Sequence, residues 1–394
     1  MGLVKRNMEE EQSREYSSSE EHVCPDCIGE PFLAQRVRDS MAGRSTCSYC
    51  GQRPALPLNE ILPLVVRGLE SEFDMPENGM GWCSGEGGWL GETWDTWDLL
   101  NNFDISWDVS GALAGHIQTE RWCRLDPYSL RDHQELFWSW ERFATQVKHE
   151  TRYVFFRAAT DQDSHGEHPF ARPHEILAAL GQIVGELDLV RDAPKGQEIF
   201  RARQTENGSA FTTVEDLGPP SEEKAKTSNR MSPAGIPMFY GALDLVTCME
   251  EIRPAAGQPF VATRAAWRLL RDVKVLDLTQ LPDLPSIFDP ENNWKRTPVK
   301  FMRDFLADFQ KPVVKDGREH IDYVPTQVVT EYFRHVYRTE EDKQLAGIIF
   351  PSAAKAEGQS CVFFCTPEGC STVGEAKDTH LLGLVTDTIE LVNS

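Results

Sequence analysis

Hydrophobic side chains recur every three or four positions in three parts of the chain, and each part predicts an amphipathic helix. The remaining positions in these stretches are mostly polar, as expected for helices with one buried face. The residues that carry the pattern are Leu62, Val65, Val66, Leu69 and Phe73; Leu136, Trp140, Phe143 and Val147; and Ile176, Leu180, Ile183, Val184 and Leu187.

Short apolar runs rich in β-branched and aromatic residues follow the third helix and predict strands. They occupy 237–240, 260–267, 273–278, 347–350 and 361–365, and 294–309 predicts one more helix. The tripeptide Leu270-Arg271-Asp272 between two of the runs indicates a hairpin turn. Helices and strands that alternate irregularly in this way are typical of an α+β fold.

Composition divides the chain into five parts. Residues 1–21 are charged and Ser-rich with no apolar core, so we expect a disordered acidic tail and not a signal peptide. A four-cysteine module is expected at 22–55, a helical domain at 56–157 and the α+β domain at 173–394. The polar segment 158–172 between the two domains, with Asp, Ser, Gly, His and Pro, is expected to be a linker.

The net charge of the chain argues against two classes of partner, nucleic acids and anionic membranes. The 394 residues carry a formal charge of −22, which argues against nucleic-acid binding because phosphate neutralisation needs Lys and Arg. The same charge disfavours an anionic membrane surface, and no apolar stretch approaches the length of a membrane span. A basic pocket for a small anion remains compatible with it, because net charge does not describe one site.

Four of the ten cysteines form the pattern Cys24-x-x-Cys27 and Cys47-x-x-Cys50. Two such knuckles are typical of tetrahedral zinc, and four thiolates leave no open position, so the expected role of the zinc is structural. Four unrelated free thiols, or a pair of redox dithiols, are the alternatives. The scattered positions of the other six cysteines favour a reducing, cytoplasmic location.

Eight tryptophans lie between positions 82 and 140, and a helical core with its edges explains them more simply than ligand stacking. Arg142 and His149 show the Arg-x6-His spacing that resembles HEPN-type ribonucleases. The alternative is that both are solvated residues on the surface of a helix. The net negative charge of the chain is a further argument against an RNA substrate.

The clearest chemical signal runs from Arg230 to Arg253. A turn-bound arginine precedes an apolar run that ends in Tyr240, and a short helix-like segment then carries Glu250 and Glu251 near its end. A cation, an aromatic face and a carboxylate suit a substrate with phosphate groups and a nitrogen base. Upstream, Arg201 and Arg203 stand in a strand-like run, where Arg203 favours a surface ion pair.

Together with the Phe350-Pro351-Ser352 segment, these motifs resemble the RES family, named for its Arg, Glu and Ser signature. The resemblance rests on the sequence motif Arg-Met-Ser-Pro-Ala-Gly-Ile-Pro at 230–237 and on the order of the motifs, and it covers about 190–380. The four-cysteine head and helical segment resemble the HEPN/RES amino-terminal domain. The resemblance implies an ADP-ribosyltransferase-like fold and the activity of a toxin that destroys NAD.

The resemblance also implies roles for individual residues. Arg201 and Arg230 would bind the pyrophosphate of NAD through bidentate forks, and Tyr240 would stack on nicotinamide. Glu251, which precedes Ile252-Arg253 as in the family, would stabilise the cationic ribose, leaving Glu250 solvated. Ser352 would hydrogen-bond a ribose or phosphate oxygen. Cys361 departs from the pattern, because a polar residue such as Asn is expected there.

The acceptor of the ribosyl group is left open between water, in a hydrolase, and phosphate, in a phosphorylase. Protein ADP-ribosylation is the alternative reaction, and a non-catalytic NAD-binding module is the alternative of another class. A toxin of this kind implies a neutralising antitoxin or a trigger protein, and a homo-oligomer remains open.

Overall fold

The computed structural model describes residues 15–40, 45–154, 175–205, 208–254, 258–311 and 317–393. The expected linker at 158–172 and positions 1–14 of the expected tail lie outside the described residues. The chain divides into two compact units. Unit 1 comprises Met1–Arg131 and Asp283–Thr297, and unit 2 comprises Asp132–Pro282 and Pro298–Ser394.

Unit 1 combines short helices with small sheets. Its described helices are α1 (Pro25–Ile28), α2 (Pro31–Asp39), α3 (Leu58–Glu70), α4 (Pro76–Gly79), α5 (Thr96–Leu100) and α6 (Trp107–His116). Its described strands are β1 (His22–Val23), β2 (Leu56–Pro57), β3 (Phe73–Asp74), β4 (Trp82–Cys83), β5 (Gly88–Trp89), β6 (Trp94–Asp95) and β7 (Arg121–Arg124). They pair as β1-β2, β3-β7-β6 and β4-β5.

Helix α3 confirms the first predicted helix, and its apolar stripe forms the centre of the unit 1 core. Phe288, from the second stretch of the unit, packs into the same core, where Gly68 leaves room for its ring. The described part of the expected tail, 15–21, forms hydrogen bonds to unit 1: the Ser17 amide donates to the His116 carbonyl, and the Ser19 amide donates to the Asn59 side chain.

Unit 2 is a mixed structure with a large sheet. Its described helices are α7 (Asp132–His149), α8 (Glu175–Glu186), α9 (Val214–Leu217), α10 (Leu245–Glu251), α11 (Arg296–Phe309, whose first two residues belong to unit 1), α12 (Glu319–Asp322) and α13 (Val324–Glu331). The strands are β8 (Val190–Ala193), β9 (Glu198–Gln204), β10 (Phe239–Ala242), β11 (Val261–Leu269), β12 (Val273–Asp277), β13 (Leu345–Pro351), β14 (Gln359–Phe363), β15 (Cys370–Thr372), β16 (Leu382–Leu384) and β17 (Glu390–Asn393).

The sheet has the order β15-β16-β11-β9-β10-β14-β13-β12-β8, with β17 paired to β11. The hairpin expected at Leu270-Arg271-Asp272 is wrong, because β11 pairs with β9, β16 and β17, while β12 pairs with β13 and β8. A three-residue connection between strands so far apart in the order requires a strongly curled sheet. The Gly196 amide donates to the Leu269 carbonyl at the same place, 2.8 Å away.

The five predicted strands are confirmed, with shifted ends. The run 237–240 becomes β10 at Phe239–Ala242, since Pro237 has no N–H for a ladder. The interior of the curled sheet holds an aromatic pair, Phe239 and Trp267, whose ring centroids are 5.0 Å apart.

Helices α7, α8 and α11 confirm the remaining predicted helices. Trp140 of α7 packs edge-on against Phe305 of α11 and donates from Nε1 to Asp308 at 2.7 Å. Within the described residues, no helix has both the length and the apolar character that crossing a bilayer needs.

Candidate active site

A cavity of about 510 Å³ opens on unit 2 between the β9, β10 and β14 strands, helix α10 and the loop that precedes β10. Its volume lies in the range usual for small-molecule sites. Three of the five residues predicted from the sequence line it, namely Arg201, Tyr240 and Glu251. Ser352 and Arg230 do not line it: Ser352 donates to Glu251 of its wall, and Arg230 belongs to the loop before β10.

Arg201 lies where β9 and β10 separate. The two strands pair only at Phe200 and Ala242. Beyond this pair, Arg201 Nη1 donates a hydrogen bond to the Tyr240 carbonyl, and Nη2 donates to the Gly218 carbonyl at 3.2 Å. The guanidinium also covers the Phe239 ring, 5.0 Å from its centroid. Gly241 permits the close approach of β10 to β9, because a Cβ there would lie 2.6 Å from Ile199 and 2.9 Å from the Phe200 carbonyl.

Burial, reinforced by the neighbouring Arg203, lowers the pKa of Arg201 to about 10, which leaves it a cation at neutral pH. Its buried Nε has no hydrogen-bond acceptor among the described residues. A buried N–H group without an acceptor raises the free energy of the folded state, so a ligand oxygen that accepts from this nitrogen would be stabilised there.

The charge of the cavity opposes the charge of the whole chain. Arg201, Arg203 and Lys224 line it, whereas Glu251 is the single acidic residue among its described lining. Arg203 lies two positions after Arg201 on β9, so the two side chains share one face of the strand. Its guanidinium donates to the Asp216 carbonyl, not to a carboxylate. The cavity is therefore locally basic in an acidic protein.

Tyr240 lines the cavity, and its hydroxyl forms a hydrogen bond with Ser232 Oγ, 2.9 Å away. Burial raises the pKa of Tyr240 to about 12. The phenol is therefore neutral at physiological pH, and Tyr240 offers an aromatic face and a fixed hydroxyl without negative charge.

Helix α10 separates the two neighbouring glutamates. Asp244 caps its first turn by accepting from the Thr247 amide at 2.8 Å, and the helix ends at Glu251. Glu250 points away from the cavity and forms a bidentate ion pair with Arg253, at 2.8 Å, that lowers its pKa. Glu251 lines the cavity.

Two serine hydroxyls hold Glu251. Ser352 Oγ and Ser360 Oγ each donate to Glu251 Oε1 at 2.6 Å. Hydrogen bonds to an ionised acceptor are short and strong, and these two leave the other oxygen, Oε2, without a protein donor among the described residues. A carboxylate fixed in this way can stabilise a positive charge that develops in the cavity.

Arg230 has a different set of contacts. Its guanidinium donates to the carbonyls of Phe309 and Lys311 at the end of α11, the latter at 2.9 Å, and lies 5.8 Å from the centroid of the Tyr323 ring. A cation suits the negative end of a helix dipole. In this arrangement Arg230 anchors the loop that carries Asn229 and Ser232 into the cavity wall.

Several lining residues have no distinctive signal in the sequence. Ser360 stands in a buried strand and looks like an ordinary strand serine, and Lys224 and Thr227 stand in a run without a motif. The one signal available for Ser360 is its place beside Cys361, where a polar residue was expected. Both residues line the cavity.

Arg142 and His149 lie on exposed positions of α7, in keeping with the solvated alternative. The Arg142 guanidinium lies over the Trp138 ring, 5.0 Å from its centroid. Neither residue lines the cavity.

In unit 1, the ligand atoms of Cys24, Cys27, Cys47 and Cys50 lie within 4.8 Å of one another and form a group suited to a metal ion. Tetrahedral Zn–S bonds of about 2.3 Å would place the sulfurs about 3.8 Å apart, so the group fits zinc. Burial raises the pKa of Cys24, whereas for Cys47 burial is outweighed by the Cys50 and Tyr49 amides, and its pKa falls to about 7. Gly51, at φ +75°, permits the turn after the second knuckle.

Two family models match the chain. The model described as HEPN/RES N-terminal domain 1 matches residues 40–161, and the model described as RES domain matches residues 198–381. No match is found among curated proteins. The second model spans the cavity and every predicted residue around it.

Proposed function

We propose that this chain, in which a match to the HEPN/RES N-terminal domain 1 precedes a match to the RES domain, is an NAD-degrading enzyme. The proposed reaction breaks the bond between nicotinamide and ribose in the cavity of unit 2. The bonding electrons leave with nicotinamide, whose ring nitrogen becomes neutral. The ribose carbon then takes an oxygen from water or from phosphate, and water would lose its proton to solvent.

The observation that carries the proposal is the Glu251 carboxylate, held by two hydroxyls at the wall of a basic cavity. Cleavage of a glycosidic bond places positive charge on the ribose ring in the transition state. An ionised carboxylate fixed in advance stabilises that charge without having to reorganise. Glu251 is therefore proposed as the catalytic residue.

The cations of the cavity support a substrate with a pyrophosphate. Arg201 has a buried Nε free of acceptors among the described residues, and Arg203 and Lys224 add two positive charges to the same cavity. Guanidinium groups bind phosphate oxygens bidentately. We assign the pyrophosphate to Arg201, with Arg203 beside it.

The remaining predicted residues receive proposed roles from their contacts. The Tyr240 ring lines the cavity and would stack on nicotinamide. Ser352 would act through Glu251, since its hydroxyl is committed to that carboxylate. The contacts of Arg230 with the end of α11 favour a positioning role over the predicted direct contact with pyrophosphate.

Two structural features support finer parts of the proposal. The curled sheet, whose core includes Phe239, Trp267 and Phe363, supports an ADP-ribosyltransferase-like fold. The four convergent thiols support a structural zinc held by Cys24, Cys27, Cys47 and Cys50, which would tie the two knuckles together. Metal analysis of the purified chain, with one zinc per chain as the expected result, tests the second point.

Unrestrained removal of NAD would be toxic, so we propose a toxin with a neutralising antitoxin or trigger protein as partner. Action in the cytoplasm agrees with ten cysteines that form no disulfide. The acidic net charge continues to argue against a nucleic-acid partner. Association of the chain with itself is tested by its mass in solution.

Incubation of the purified chain with NAD, with and without phosphate, tests the reaction. We expect free nicotinamide, together with ADP-ribose or its phosphorylated form. Glu251→Gln should lower the rate by about 10²- to 10³-fold, the usual loss when a transition-state charge loses its partner. Glu250→Gln is the matched control, because the neighbouring carboxylate pairs with Arg253, and its rate should stay at the wild-type level.

Two outcomes would contradict the proposed reaction. Label from NAD that appears on protein, without free ADP-ribose, would indicate protein ADP-ribosylation. NAD that is bound but remains intact after long incubation would indicate a non-catalytic binding module.

A further inference from the structure

We infer that Ser360 is a second positioning residue for Glu251, equal in importance to the signature serine Ser352. The inference rests on the proposed function of this cavity and deepens it. Both hydroxyls donate to the same oxygen, Glu251 Oε1, at 2.6 Å. The two serines would fix the carboxylate in one orientation with Oε2 directed to the substrate.

The backbone around Ser360 makes its hydroxyl the more rigid of the two donors. Ser360 belongs to β14 and is paired on one side with Ala242 of β10 and on the other with Phe350 of β13. Its side chain is 4% exposed and lines the cavity. A central strand with ladders on both sides fixes the backbone of Ser360 and so the position of its Oγ. Glu251, in contrast, is the last residue of helix α10.

Ser352 holds the same oxygen from a turn. Its Oγ accepts from the Ala354 amide at 3.1 Å and from the Lys355 amide at 3.2 Å, and its own amide donates to the Gly358 carbonyl. Because both acceptor positions of the hydroxyl are occupied, its proton is directed to Glu251. This arrangement suits a residue that orients a carboxylate and does not suit a nucleophile.

The test compares Ser360→Ala, Ser360→Thr and Ser352→Ala in the full chain. We expect Ser360→Ala to lower kcat about tenfold with little change in KM, which corresponds to the loss of one charge-assisted hydrogen bond. Ser360→Thr keeps the hydroxyl and should restore kcat. Ser371→Ala is the matched control: it removes a buried strand hydroxyl of the same unit that donates to a backbone carbonyl.

Crystal structures of the variants separate this inference from the proposed reaction. In Ser360→Ala the Glu251 carboxylate should occupy more than one orientation, whereas in Ser371→Ala it should keep the wild-type orientation. A wild-type chain that leaves NAD intact would overturn the reaction, while the structures would still decide the role of Ser360. A single, unchanged orientation of Glu251 in Ser360→Ala, or an unchanged kcat, would overturn the inference.

Discussion

At the scale of the residue, neighbours in the chain have separate tasks because backbone geometry directs their side chains differently. Successive residues on a helix point about 100° apart, so Glu251 faces the cavity while Glu250 pairs with Arg253. Residues two apart on a strand share a face, which brings Arg203 beside Arg201. The local secondary structure thus selects which charges meet the ligand.

Arg201→Lys should weaken NAD binding about 10- to 100-fold, because hydrogen bonds of charged groups contribute about 1.5–3 kcal/mol and one ammonium cannot replace the fork. The fork holds the Tyr240 and Gly218 carbonyls and leaves Nε for the ligand. Calorimetric titration with NAD in a Glu251→Gln background measures the affinity without turnover.

Arg268→Lys is the control for this substitution, since Arg268 stands on the neighbouring β11 and forms an exposed pair with Glu198. The affinity of the Arg268→Lys variant for NAD should equal that of the Glu251→Gln chain from which it is made. An Arg201→Lys variant with the same affinity as this control would contradict the assignment of Arg201 to the substrate.

At the scale of the element, the cavity exists because several short segments end at one place. Strands β9 and β10 separate after one paired position, helix α10 ends at Glu251, and Gln204 of β9 donates to the Ile252 carbonyl just beyond it. The loop before β10 is anchored through Arg230 to the end of α11. The site therefore depends on how elements terminate as much as on their regular parts.

Arg230→Ala should lower the calorimetric midpoint of unit 2 by about 4–8 °C, which corresponds to a loss of about 2 kcal/mol in a unit of this size. The physical reason is that the carbonyls at the end of α11 lose a buried charged donor. Differential scanning calorimetry of the full chain provides the measurement.

Arg303→Ala on the exposed side of the same helix is the comparison, and its midpoint should move by less than about 2 °C. An Arg230→Ala variant with an unchanged midpoint and a raised KM for NAD would instead favour the direct contact with pyrophosphate that the sequence predicted.

At the scale of the whole molecule, the compact units do not follow the order of the chain. The stretch Asp283–Thr297 lies within the residues matched by the RES domain, yet it belongs to unit 1. Its Phe288 packs edge-on against Phe103, with ring centroids 5.3 Å apart, and Arg296 bonds to Glu72 at 2.5 Å. Helix α7, in turn, belongs to unit 2.

Phe288→Ala should lower the calorimetric transition of unit 1 and leave that of unit 2 in place, because removing a buried ring costs about 3–5 kcal/mol in the core that loses it. Phe305→Ala is the reciprocal control, since that ring packs against Trp140 within unit 2. Equal shifts of both transitions, or a single transition for the whole chain, would contradict separate cores.

Much of the fold follows from the sequence because hydrophobic periodicity reports local structure directly. The stripes around Val65, Trp140 and Leu180 become helices, and the five apolar runs become strands. The hairpin at Leu270-Arg271-Asp272 fails for a physical reason: a tight turn looks the same in sequence whether its strands pair or belong to opposite sides of a curled sheet.

Part of the site also follows from residue chemistry. The chemistry of the residues predicts the Tyr240 ring and one of the two carboxylates at 250 and 251. The family resemblance selects Glu251 and adds Arg201, and Arg201, Tyr240 and Glu251 all line one cavity. Ser360 was not identified, because a serine in an apolar strand carries no local sign of its partner more than a hundred positions away.

The sequence by itself determined the helices and strands, the four-cysteine pattern and the chemical types around the cavity, because these depend on neighbouring residues and on fixed spacings. Only the tertiary structure decided which side chains meet. Contacts between distant positions set the Glu251 pair with Ser352 and Ser360, the anchoring of Arg230 on α11 and the place of Phe288 in unit 1. Hydrogen bonds and packing act over a few ångströms in space, whatever the separation along the chain.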